Sequence, residues 1–231
     1  MIERYTIASS QQQIEERFGV SFPDSFQPRF NAAPTQALPI ITLGNAIIKQ
    51  FYWGTEPHLS KNKRIASKLI NAPVNQLTEK HFYKNALKSR RCLVLADGFY
   101  VWKSISKKGQ VPYRVALESK SLFAMAGLWE TYENMEGARL GTFALITQPA
   151  PVSIQKITAD IPVILDSSNE QTWLQSTLGI EECLALLNKS SPPNFTSYAV
   201  SPFVNNLAND GANLLSPAPP ADQFGNYSLF D

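Results

Sequence analysis

Residues 91–102 read Arg91-Cys92-Leu93-Val94-Leu95-Ala96-Asp97-Gly98-Phe99-Tyr100-Val101-Trp102. An apolar run, an Asp-Gly pair and an aromatic run follow one another. Asp-Gly between β-prone segments signals a tight turn, because both residues tolerate a positive φ. The spacing therefore predicts a core hairpin folded about Asp97-Gly98. Similar short runs lie on both sides. Residues 38–43 and 46–53 read as strands joined at Gly44-Asn45. Residues 111–117, 122–129 and 140–147 read as three more between polar turns, and 195–201 as a late one. Pro162-Val163-Ile164-Leu165 is a further short apolar run.

Helical patterns sit between these runs. Ser10 with Gln13 three residues on is a capping box, opening a helix with Ile14 and Phe18 inward and an end near Gly19. Thr78 is placed to cap a second helix to about Lys88, with Phe82 and Ala86 inward. Two more start near Ser168 and Gly179, the first carrying Trp173 and the second Leu184 and Leu187. With no regular βαβ alternation and no internal repeat, the pattern is that of an α+β domain built on antiparallel sheets. One domain is expected over residues 1–216. The tail, 217–231, with Pro217, Pro219 and Pro220, is expected to be extended and poorly ordered.

Composition narrows the function. The chain has 231 residues, 44% hydrophobic and 17% charged, as soluble globular proteins do. No apolar run approaches the roughly 20 residues that span a bilayer. The start, Met1-Ile2-Glu3-Arg4, lacks the basic-then-apolar pattern of a signal peptide, so the cytoplasm is expected. Cys92 and Cys183 sit in apolar surroundings and read as buried free thiols. His58 and His81 are too few for a zinc cluster, so no metal is expected, and the scattered glycines form no phosphate-cradling loop. No cofactor is implied. Charge is unevenly spread: residues 61–120 carry fourteen Lys and Arg against Glu79, Asp97 and Glu118, a surplus of +11, while residues 121–231 sum to −8. Such a surplus can form a face for a polyanion, or cancel against the acidic half in space.

Several segments then fall into one order: Arg4-Tyr5-Thr6, Arg29-Phe30-Asn31-Ala32-Ala33-Pro34, Leu69-Ile70-Asn71-Ala72, Ala96-Asp97-Gly98-Phe99-Tyr100-Val101-Trp102, the Pro162 run, and Val204-Asn205-Asn206 with Asn209-Asp210. Their order and spacing resemble the SOS response-associated peptidase family of abasic-site processing proteins, over residues 1 to about 216. The resemblance implies antiparallel sheets forming a barrel-like core with peripheral helices. It implies binding of single-stranded DNA in a positively charged groove. It also implies a cysteine, exposed as first residue after methionine removal, that closes a thiazolidine on the aldehyde of an abasic site. An asparagine, a glutamate and a histidine assist. An amine and a thiol on one residue can both add to the aldehyde carbon while neighbouring acid–base groups move protons.

This chain departs from that pattern where the chemistry lies. The nucleophile position is Ile2, the glutamate position Val101 and the histidine position Thr158. A phosphate-contacting arginine is replaced by Asp160, which repels phosphate. Glu3 replaces a glycine, Pro73 an arginine and Asn75 a glutamate, and the aromatic wedge expected after Pro57 is absent, with Leu59 and Ser60 in its region. Methionine removal needs a small second residue, so Met1 is expected to stay. Asn71 is retained. Arg4, Arg29, Asn31, Asn71 and Thr147 match residues lining the DNA groove, although Arg29 and Asn31 can equally pin the loop before Pro34, and Asn71 can satisfy buried backbone groups. The leading expectation is a member without thiazolidine chemistry that keeps single-stranded DNA binding. Alternatives are an active enzyme with an altered site, for which Ser67 or Lys68 are candidate nucleophiles, or a protein-interaction module for an unidentified partner. A Cys92–His81 hydrolase is the weakest reading.

Overall fold

The computed structural model describes residues 1–44, 47–54, 70–133, 137–189 and 194–227. In chain order these form β1 (Arg4–Ile7), α1 (Gln11–Phe18), β2 (Arg29–Ala32), β3 (Ala37–Thr42), β4 (Lys49–Trp53) and β5 (Asn71–Pro73). There follow α2 (His81–Ser89), β6 (Arg91–Ala96), β7 (Gly98–Ser104), β8 (Gln110–Leu117), β9 (Phe123–Glu133) and β10 (Arg139–Pro149). The chain continues with β11 (Asp160–Pro162), β12 (Ile164–Leu165), α3 (Ser167–Trp173), α4 (Ile180–Lys189) and β13 (Phe195–Ala199).

The expected hairpin at Asp97-Gly98 does not form. β6 pairs with β3 and β9, whereas β7 pairs with β1 and β8. The two halves of the stretch thus lie in different sheets, and Asp97 is the corner between them. The first sheet closes on itself through β10-β4-β3-β6-β9-β10, a five-stranded barrel, with β5 and β11 added along β10 and β12 along β9. The second runs β13-β8-β7-β1-β2. Pairing is antiparallel except that β4 and β5 both run parallel to β10.

Partners distant in sequence hold the corner. The Asp97 carboxylate accepts the Thr6 hydroxyl at 2.5 Å and the backbone N–H groups of Ala8 and Ser9 at 2.6 and 3.1 Å. Arg114 donates from Nη2 to its Oδ1 at 3.2 Å and to its carbonyl at 3.0 Å. A Cβ on Gly98 would stand 2.7 Å from that Nη2, so the close approach of the guanidinium requires glycine. The Asp-Gly pair serves a crossing between sheets, not a turn within one.

β6 is buried along its whole length because the barrel interior covers one face and helices the other. Arg91 at its start is also buried. Its Nε donates to Trp173 O at 2.7 Å, Nη1 to Leu87 O and, at 2.9 Å, to Lys88 O, and Nη2 to Gln175 O. One guanidinium therefore caps the C-terminal ends of α2 and α3, where the helix dipole favours a cation. Between the sheets the core is aromatic: Trp53 meets Tyr5 edge-on at 5.2 Å and stacks on Phe143 at 6.3 Å.

Local signals are realised unevenly. The Ser10–Gln13 capping box and the left-handed Gly19 bound α1 as expected. The second helix starts at His81, after Thr78, and buries Tyr83, Ala86 and Leu87 while Phe82 faces out. The tail packs back rather than trailing: Ala218 N–H donates to Ala199 O at 2.9 Å, and Ala221 and Asp222 are buried. Among the described residues no helix is long and apolar enough to cross a membrane.

Candidate active-site cleft

A cleft of about 460 Å³ opens where the N-terminus, β7 and the turn before β11 meet, lined among others by Met1, Glu3, Val101, Trp102, Lys156 and Thr158. β1 pairs with β7, Arg4 opposite Tyr100, and so brings the first residues alongside Val101. Ile2 turns the other way, its side chain fully buried in the core. Burial of an isoleucine stabilises a fold by about 1.5–3 kcal/mol, so this position serves as an anchor. Asn71 Nδ2 donates to Ile2 O at 2.8 Å, and Tyr83 Oη donates to Asn71 O at 3.0 Å. Ile2, Asn71, Val101 and Thr158, far apart in sequence, therefore gather about one end of the molecule.

The chemistry available there is modest. Val101 is buried, its side chain packed in the core. Thr158 Oγ1 donates to Asp160 O at 2.9 Å, closing its own turn. The Asp160 carboxylate lies 3.6 Å from the Met1 amine. Asn71 Oδ1 is buried with no hydrogen-bond partner in the structure. Among the described residues no three His, Cys, Asp or Glu cluster to hold a metal ion. Cys92 is fully buried, and desolvation pushes its thiol far above the ordinary range; burial pushes Cys183 up as well. His81 is exposed on α2 against Asn85. A larger cavity of about 500 Å³ between the end of α1 and α3 is lined by no ionisable side chain.

The groove candidates divide. Arg29 Nε bonds Asp210 at 2.6 Å and Nη2 bonds Gln36 Oε1 at 2.8 Å. Asn31 is buried, and its Nδ2 reaches the carbonyls of Val204, Asn206 and Asn209 at 3.1, 3.3 and 2.9 Å. Both therefore hold residues 202–210 against β2. Thr147 is buried on β10, opposite Pro162 on one side and Pro73 on the other. Arg4 is half-buried, its Nη1 on Glu3 O at 2.7 Å, and desolvation lowers its pKa despite Glu3. The basic surplus is partly consumed. Arg114 meets Asp97, Arg90 meets Glu130 at 2.9 Å, and Arg91 is buried, while Lys80, Lys84, Lys88, Lys107, Lys108 and Lys120 are exposed. Lys61, Lys63, Arg64, Ser67 and Lys68, and the wedge region at Pro57, Leu59 and Ser60, lie outside the described residues.

The family model for SOS response associated peptidases (SRAP) matches residues 1–207. The chain belongs to the SRAP family. Among its relatives, the abasic site processing protein YoaM of Bacillus subtilis is 35% identical over 221 residues, covering 93% of this chain and 97% of that one. The abasic site processing protein HMCES of Rattus norvegicus is 28% identical over 85% of this chain and 67% of its own length. A crystal structure of a protein from Bacteroides thetaiotaomicron superposes with a TM-score of 0.78 at 20% identity, over 93% of this chain and 99% of that one, and shares the fold. The SRAP frame thus extends over nearly the whole chain. Sequence reasoning had not marked Glu3, Trp102, Ser104, Gln110, Gln155 and Lys156 as neighbours in one cleft. They come from four separate segments; Glu3 beside Ile2, Trp102 beside Val101, and Gln155 and Lys156 just before Thr158 offered a signal, whereas Ser104 and Gln110 offered none.

Proposed function

We propose that this SRAP protein binds single-stranded DNA in the cytoplasm without closing a thiazolidine on it. The burial of Ile2 in the core, where the family chemistry needs an exposed cysteine, carries this reading. With no thiol, the ring has no sulfur to close it. Val101 and Thr158 supply no acid–base pair, since a methyl group cannot titrate and the threonine hydroxyl is engaged with Asp160 O. The binding half of the reading is supported by Lys156 in the cleft wall, by half-buried Arg4 next to Glu3 of that wall, and by relatives named for abasic-site processing, while Asn71 and Thr147 are buried and serve it indirectly. Arg29 and Asn31 serve it indirectly, by fixing residues 202–210.

Fluorescence anisotropy with a labelled single-stranded oligonucleotide at two salt concentrations tests this. Phosphate contacts release counterions, so affinity must fall as salt rises. Absence of binding even at low salt would overturn the DNA-binding half. A protein-interaction role is the second reading, favoured by Glu3 and Asp160, whose carboxylates oppose phosphate at the cleft. Recovery of a protein partner together with no DNA binding would select it.

A further inference from the structure

The family match ends at residue 207, yet the chain after it is built onto the hairpin that borders the cleft. Gln223 Oε1 accepts Gln110 N–H at 2.8 Å and its Nε2 donates to Lys108 O, tying the tail to the tip between β7 and β8. The tail then folds into a tight turn about one carboxylate. Asp222 Oδ1 accepts Phe224 N–H and Asn226 N–H, each at 2.9 Å, and Oδ2 accepts Asn226 Nδ2 at 3.1 Å. Asp222 N–H donates to Asn226 O at 2.8 Å, and Gly225 takes the positive φ of 85° that the turn needs. A turn fastened in this way nonetheless leaves Phe224 and Tyr227 68% and 69% exposed. Exposed Lys107 and Lys108 stand on the hairpin tip beside it, and the one acid of the turn is buried within it.

We propose that this tail turn and hairpin tip form a platform for single-stranded nucleic acid leaving the cleft, with Phe224 and Tyr227 stacking on bases and Lys107 and Lys108 meeting phosphates. Exposed aromatic side chains on a fastened turn, with cations on the neighbouring hairpin tip, suit an unpaired strand, since every base has a π-face and every linkage a charge. The cleft wall includes Ser104 and Gln110, the two ends of this hairpin tip, so a strand has a continuous path from one to the other. The platform rests on the DNA-binding reading above and adds to it the turn at residues 222–227, beyond the residues that the SRAP family model matches.

The test is anisotropy of the full chain with labelled oligodeoxythymidine, and with oligouridine as a second arm to separate DNA from RNA. Phe224→Ala with Tyr227→Ala should weaken binding at least tenfold in an arm that binds, with unchanged thermal unfolding, and Phe224→Trp should restore or tighten it. Lys107→Gln with Lys108→Gln should lower the slope of log affinity against log salt by about 1.4, at roughly 0.7 per phosphate on a single strand. Wild-type binding that the aromatic double variant leaves unchanged would overturn the platform and spare the DNA-binding reading. No wild-type binding in either arm would overturn both.

Discussion

Arg91 and Asp97 at one end of the focal stretch, and Val101 at the other, share one continuous path and two different fates. At the first end the polar side chains are engaged, mostly by partners far away in sequence, although Arg91 also reaches back to Leu87 and Lys88. Arg91 holds four carbonyls at two helix ends, and Asp97 gathers Thr6, Ala8, Ser9 and Arg114 at the sheet corner. At the second end, Val101 packs into the core beside the cleft, Thr158 lines it, and Asp160 stands half-exposed beside Met1. The frame depends on the first set, because removing one member strands buried polar groups. On the proposed reading, the glutamate and histidine that the resemblance implies at Val101 and Thr158 take no part in that network, so the fold stands without them.

That contrast is open to attack by mutation. Arg91→Ala should have the largest effect, about 3–5 kcal/mol of stability, since it leaves four helix-end carbonyls without their donor; urea unfolding measures it, and a loss below about 1 kcal/mol would break the comparison. Asp97→Asn should cost about 2–3 kcal/mol by removing charge-assisted acceptors at the corner, visible as a lower urea midpoint with an unchanged slope. Thr158→His, on the cleft side, should shift stability by no more than about 0.5 kcal/mol. The smallest effect concerns pH. Burial alone would raise the Asp222 carboxyl, but hydrogen bonds from Asn226, Phe224 and Gly225 hold it below its ordinary 3.8. A depressed folded value means that its contribution is full above the unfolded value and is lost as pH falls through the folded one. Protection of the amides in residues 222–227, taken relative to the unstructured exchange rate at each pH, should therefore fall below about pH 4 and stay level above it.

The sequence was legible where causes are local. Ser10 and Gln13 bound α1 because a capping box needs only itself and its helix. Asp97-Gly98 misled because a hairpin turn and a sheet crossing place the same two residues at the joint. Arg114 and Thr6, which decide between them, carry no local mark. Phe82 was expected inward, but α2 docks through Tyr83, Ala86 and Leu87, which leaves Phe82 on the far edge. The tail read as loose because its prolines exclude a helix, while the bonds of Gln223 to the β7–β8 tip are tertiary. The cleft itself was visible only through the order of family motifs, since no spacing rule places Ile2, Asn71, Val101 and Thr158 together.

The central proposal is that the SRAP frame persists here without the thiazolidine chemistry. A denaturing gel after incubation with abasic single-stranded DNA addresses it directly, with the variant carrying Ile2→Cys, Val101→Glu and Thr158→His run beside the wild type. The wild-type chain should give no heat-stable covalent band, and the triple variant should gain one. A heat-stable band from the wild-type chain would contradict the account.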